Sequence, residues 1–205
     1  MIRPILFNTE MVQAVLDGRK TATRRKIDID IANQFDVECD GKTVFAYINQ
    51  ETGDCYSPTE ICRYRPGDIL YVRETWQYLY ELDGNEQIIE GTGRYYYMAT
   101  DSIPYDTYVD LQGITHEKTP WRPSIHMPKA ATRIWLKVKE IRIERLQDID
   151  DDGVVAEGLR IGDPYDELWN STIKKKDLAL YGWDANPWVW VIEFERCEKP
   201  EGWCA

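Results

Sequence analysis

Histidine is nearly absent from this chain, with two residues, His116 and His126, and the five cysteines, Cys39, Cys55, Cys62, Cys197 and Cys204, form no C-x-x-C pair. A structural zinc site needs four nitrogen or sulfur ligands, usually paired closely in sequence, so no metal and no cofactor are expected. The odd cysteine count points to free thiols in a reducing compartment. Long apolar runs are also missing. The longest near a strand, residues 187–192, falls far below the roughly 20 residues of a membrane span. Residues 1–10 turn polar at Asn8-Thr9-Glu10 without the apolar stretch of a signal peptide, so a cytoplasmic protein with no membrane partner is expected. Positive charge is scarce: Lys+Arg 25 stand against Asp+Glu 36, a formal charge of −11. That excludes coating nucleic acid through bulk charge and leaves only a local patch for any such contact.

Aromatic residues are abundant. Eight Trp, 13 Tyr and 4 Phe in 205 residues supply the buriable surface that a disordered chain lacks. The length allows one domain with insertions or two small ones. Without an internal repeat or a low-complexity linker, the chain reads as a single domain, 1–205, with insertions near 28–60 and 77–119.

Several elements are legible. Thr9 is placed to cap a helix whose Met11, Val12, Val15 and Leu16 fall on one face, and Gly18 is its left-handed stop. Arg19-Lys20-Thr21-Ala22-Thr23-Arg24-Arg25-Lys26 then holds five basic residues in eight. Pro66-Gly67-Asp68 is a turn opening a strand over 69–74, Arg94 begins a tyrosine-rich strand over 94–99, and residues 43–48 form a weak strand candidate. The proline-bound stretch 120–128 is expected to be an extended loop. In 132–146, Ile134, Leu136 and Val138 alternate and Ile141 and Ile143 continue one residue out of phase, which predicts a bulge near Lys139-Glu140. Helical pieces are expected in 146–159 and 163–181. Trp188, Trp190, Ile192 and Phe194 alternate along a last strand, predicted to be central, with Trp190 and Ile192 buried. The fold class read from this is α+β: a small, closed β-barrel with short flanking helices and inserted loops.

The motifs Gly18-Arg19-Lys20-Thr21-x-Thr23, Pro66-Gly67-Asp68 and Ala156-Glu157-Gly158 resemble the ASCH domain of the PUA-like superfamily. Its phage and prophage branch is matched through Arg3-Pro4-Ile5-Leu6-Phe7-Asn8-Thr9-Glu10-Met11, Tyr71-Val72-Arg73-Glu74-Thr75-Trp76, Pro123-Ser124-Ile125-His126-Met127-Pro128, Glu144-Arg145-Leu146-Gln147-Asp148-Ile149 and Asn186-Pro187-Trp188-Val189-Trp190-Val191. The resemblance implies a PUA-like β-barrel with a cleft beside the Gly-x-Lys-Thr element and a link to RNA or modified nucleotides. One bacterial ASCH subgroup is similar to an amidohydrolase that deacetylates N4-acetylcytidine with a lysine, a threonine and a glutamate. By motif these fall on Lys20, Thr23 and Glu157. This chain is about twice that subgroup's length.

Those three residues meet the needs of amide hydrolysis: a hydroxyl nucleophile, an amine base once neutral, and a carboxylate to hold or deliver a proton. Arg19, Arg24 and Arg25 would depress the Lys20 pKa, as like charges do. Residues 20 and 23 point to opposite faces of a regular strand, so one cleft receives both only if the chain turns there; otherwise Thr21 shares a face with Thr23 and substitutes. Arg19, Thr21, Arg24 and Arg25 are candidate ligand contacts at an anion-attracting mouth. Glu74 and Trp76, placed on one strand face, are candidates to hold a base, and His126 is a further contact from the proline-braced loop. Each also has a plain structural reading: solvated lysine or carboxylate, strand threonine, core aromatic, hydrogen-bonded loop histidine.

The preferred function from sequence is a nucleic-acid-associated domain that recognises a nucleobase, nucleotide or single-stranded RNA. The runner-up is an amidohydrolase acting on N4-acylated cytidine or a related nucleobase. A third class is a phage assembly or host-interaction protein without catalysis.

Overall fold

The computed structural model describes residues 1–33, 47–49, 51–85, 87–103, 108–109, 115–116 and 121–203. About a third of the expected insertions, including residues 43–46 of the weak strand candidate and Cys39, and also Cys204, lie outside the described residues. The elements that position the site are β1 (Ile2–Leu6), α1 (Thr9–Leu16), β2 (Ala22–Lys26), β3 (Ile69–Arg73), β4 (Trp76–Leu79), β5 (Arg94–Tyr97), β6 (Trp135–Arg145), α2 (Asp151–Ala156), α3 (Tyr165–Thr172) and β7 (Trp188–Cys197).

Five strands form one sheet in the order β1-β3-β6-β7-β2. β1 and β3 run parallel and the other neighbours antiparallel. β7 is therefore internal, and its two faces explain its composition. Trp188, Trp190, Ile192 and Phe194 enter the main core with Phe7, Val12 and Val15, while Val189 and Val191 enter a second core with Leu146, Tyr165 and Trp169. A strand buried on both faces needs apolar residues at both phases.

The slip in apolar phase is a β-bulge. Val138 pairs with Phe194 and Glu140 with Glu193, leaving Lys139 as the extra residue. The bend lets one long strand serve two neighbours, since Trp135, Leu136 and Lys137 also pair with Tyr71, Leu70 and Ile69 of β3.

Among the described residues the sheet is open, and the expected closed barrel is not seen. β1 and β2 stand at opposite ends of the strand order, and no backbone ladder joins them among the described residues. A side chain crosses the seam instead. The Arg25 guanidinium on β2 donates to the Leu6 carbonyl of β1 at 2.8 Å and lies 5.6 Å from the Phe7 ring centre.

Three local expectations are corrected. Asn8, not Thr9, caps α1, its side chain accepting from the Met11 N–H at 2.8 Å. The proline-bound loop contains one 3-10 turn, Ser124–His126, which the two flanking prolines bracket. The strand expected to run through Glu74 ends at Arg73, and Trp76 begins β4, so these two residues do not share a strand face. Cys55, Cys62 and Cys197 are free thiols. No helix among the described residues is long and apolar enough to cross a membrane.

Candidate active site

Gly18, at φ +75°, ends α1, and the Arg19 and Lys20 amides both return to the Ala14 carbonyl at 2.9 and 3.0 Å. Lys20 thus sits on a turn that precedes β2, and the alternation of a strand does not govern it. Its side chain points inward, with the residue 2% exposed. Nζ donates to Glu157 Oε2 at 2.5 Å and to the Glu157 carbonyl oxygen at 2.9 Å.

Glu157 follows α2 as its C-cap residue. Its second carboxylate oxygen accepts the Arg24 backbone N–H at 2.5 Å and lies 3.4 Å from the Tyr165 hydroxyl. The Arg24 side chain continues the series to Glu144, 2.6 Å away. Lys20, Glu157, Arg24 and the half-buried Glu144 therefore alternate in sign, which is what makes burial of the first three charges tolerable.

Two glycines make room for this arrangement. A Cβ on Gly158, at φ +94°, would stand 2.6 Å from the Ala14 Cβ and 3.1 Å from the Lys20 Cβ. One on Gly153 would stand 2.8 Å from the Arg24 guanidinium. The Ala156-Glu157-Gly158 motif is thus a close-packing device as well as a carrier of the carboxylate.

Burial pushes the Lys20 pKa down; the Glu157 charge and hydrogen bond oppose this, and Arg25 and Arg24 add to the depression. Burial also pushes the Tyr165 phenol up, helped by the neighbouring Glu157 charge. Thr23 is 1% exposed, and its hydroxyl has no hydrogen-bond partner among the described residues. It lines a cavity of about 20 Å³ with Arg24, Arg25, Glu157, Tyr165 and Trp169. That volume holds about one water molecule. α3 supplies one wall, so access for anything larger requires α3 to move.

The rest of the basic island divides. Arg24 is buried and paired. Arg25 is half-buried at the seam. Arg19 is exposed, donating to the Gly158 carbonyl and pairing with Asp17 at 3.0 Å. Thr21 is exposed, and its backbone N–H ties β2 to α2 through the Ala156 carbonyl at 2.8 Å. Lys26 lies 3.8 Å from the Tyr181 ring centre.

Glu74, Trp76 and His126 are not among the residues lining this cavity. Glu74 is fully buried in a bidentate pair with Arg133, at 2.8 Å for both contacts. Arg133 stacks 3.9 Å from the Tyr97 ring centre, and burial pushes that phenol up to about 12. Trp76 packs with Met127 and Ala131. His126 is exposed on its 3-10 turn.

Sequence reasoning missed Glu144 and Tyr165. The signal for Glu144 was its phase: it alternates with Ile143, which faces the main core, and so lies on the Arg24 side of the sheet. Nothing local marked Tyr165.

No protein-family model and no curated protein matches this sequence. Among solved structures, the chain is similar to protein EF3133 from Enterococcus faecalis V583, of family DUF984, with TM-score 0.42 and 15% identity, over 96% of this chain and 75% of that one.

Proposed function

We propose that the protein is an amidohydrolase that cleaves an N-acylated nucleobase amine, with N4-acylated cytidine as the substrate class. The observation that carries this reading is the buried Lys20–Glu157 contact at 2.5 Å, with Glu157 and Thr23 lining one cavity. The substrate class comes from the resemblance to the ASCH family and its PUA-like relatives.

In this reading neutral Lys20 takes the Thr23 proton as the hydroxyl oxygen attacks the acyl carbon. The resulting Lys20 ammonium returns that proton to the departing amine nitrogen as the C–N bond breaks, leaving an ester on Thr23. Water, deprotonated by Lys20, then attacks the ester, and the carboxylic acid leaves with the Thr23 oxygen reprotonated. Glu157 holds the amine in place and sets its proton affinity. Arg24 holds Glu157 through its backbone N–H.

One alternative is a domain that binds a nucleobase without turning it over; both readings need the site to widen, since the cavity as it stands holds about one water. Incubation of purified protein with N4-acetylcytidine, with released cytidine quantified by chromatography, separates the two. The hydrolase reading expects turnover that Lys20→Ala lowers by orders of magnitude. Wild-type release no faster than that of Lys20→Ala, across a panel of acylated nucleosides, overturns it.

A further inference from the structure

A cavity of about 310 Å³ is separate from the Lys20–Glu157 site and shares no lining residue with it. It opens where β2 passes into the short helix Ile29–Ala32, and the helix Leu178–Tyr181 and the start of β7 close it. Its volume lies at the lower end of the range for small-molecule sites. Most of its lining residues have apolar or aromatic side chains, with Ile27, Tyr181, Pro187 and Trp188 buried, while polar atoms make up about half of the surface they expose to it.

Among the described residues lining it, the one cation is Arg145. Arg145 is paired in register with Trp188, and its guanidinium lies 4.0 Å from the indole ring centre. It donates one hydrogen bond, to the Asn186 carbonyl at 3.2 Å. Its remaining N–H donors have no partner among the described residues, and no carboxylate pairs with it there. The Asp148 charge acts on Arg145 from nearby, but no carboxylate of the described residues reaches ion-pair distance, so in a chain with eleven more acidic than basic residues this half-buried arginine is available to an anion from outside. Stacking on an indole holds the guanidinium flat and orients its fork of donors. Asn33 adds an amide at the wall.

We propose that this cavity binds a small ligand with a flat ring and one anionic group, the ring lying among Ile27, Tyr181 and Trp188 and the anion on the free Arg145 donors. The cavity suits a ligand of one or two rings, and a single unpaired guanidinium suits a single carboxylate or phosphate. Both anions present the same chemistry to the arginine, so the test includes each.

The test is isothermal titration with trans-cinnamate against its neutral amide, and with cytidine 5′-monophosphate against cytidine. At least one anion is expected to bind with one-to-one stoichiometry, about tenfold or more tighter than its neutral analogue. Arg145→Gln should abolish that preference, and Arg145→Lys should retain part of it. Ala185→Trp, a substitution at an exposed lining residue, should weaken the same ligand by blocking the cavity, which keeps the test valid if Arg145→Gln fails to fold. Preference for cinnamate identifies a carboxylate ligand, and preference for the nucleotide identifies a phosphate. Binding must persist in Lys20→Ala, which separates this site from the proposed hydrolase centre. Absence of binding at millimolar concentration, equal affinity for anion and neutral analogue, or affinity unchanged by both Arg145→Gln and Ala185→Trp overturns the proposal.

Discussion

Thr23 is the residue at which chemistry and folding come apart. Its hydroxyl has no hydrogen-bond partner among the described residues, so Thr23→Val removes the proposed nucleophile without orphaning a donor or an acceptor. Denaturant unfolding should place this variant within about 1 kcal/mol of wild type, while hydrolysis of the acylated nucleoside falls to background. Lys20 behaves oppositely, because its charge is tied to stability. Its folded pKa lies below the unfolded value of 10.5, so between those two values the unfolded chain binds more protons. Stability contributed by this group therefore rises with pH through that window and levels off above it. Unfolding midpoints measured against pH for wild type and Lys20→Met should show this slope only in the wild type. Activity should rise over the same window as the amine becomes neutral. Lys20, Thr23 and Glu157 were legible because a motif carries them. The placement of Arg24 was not, because its acidic partners Glu144 and Glu157 are more than a hundred positions away in sequence, and a run of cations does not reveal which of them turns inward.

At the scale of elements, the turn from α2 into the following chain is the most constrained point. Gly158→Ala would force a side chain into a left-handed backbone and against the Ala14 Cβ at 2.6 Å. The conformational term alone costs about 1–2 kcal/mol, and the clash adds to it. Urea unfolding should show a loss of at least about 2 kcal/mol, together with reduced activity, since Lys20 and Glu157 flank this contact. The bulge in β6 and the internal position of β7 were readable from the sequence because a period-2 pattern records phase, and a slip in phase has one structural meaning. The break after Arg73 was not readable. Glu74 and Trp76 fit a strand by composition, and only the distant Arg133, which holds the Glu74 carboxylate, shows that the chain leaves the sheet there.

For the whole molecule, charge placement decides what kind of partner is possible. Two of the five basic residues in the island, Lys20 and Arg24, are committed to internal carboxylates, which leaves Arg19 and Lys26 outward and Arg25 at the seam. The slope of log K against log salt for any polynucleotide should therefore not exceed about 2 in magnitude, and Arg24→Gln should leave it unchanged. A slope near 5 would mean that the island faces solvent. The α+β class was legible from alternating segments between turns. The open sheet was not, because Arg25, the side chain that spans the seam, is locally indistinguishable from its neighbours. The bond between Glu157 and the Arg24 amide has a consequence beyond the site. β2 is the last strand of the sheet, and its outward N–H groups would otherwise offer a template to a second chain. Glu157 occupies one of them, so the carboxylate proposed for chemistry also guards against polymerisation. Glu157→Ala should self-associate in light scattering, whereas Thr23→Val should stay monodisperse at the same concentration. Selection for solubility alone would then keep a glutamate at this position in a relative that had lost its activity, and only the threonine would report whether the chemistry survives.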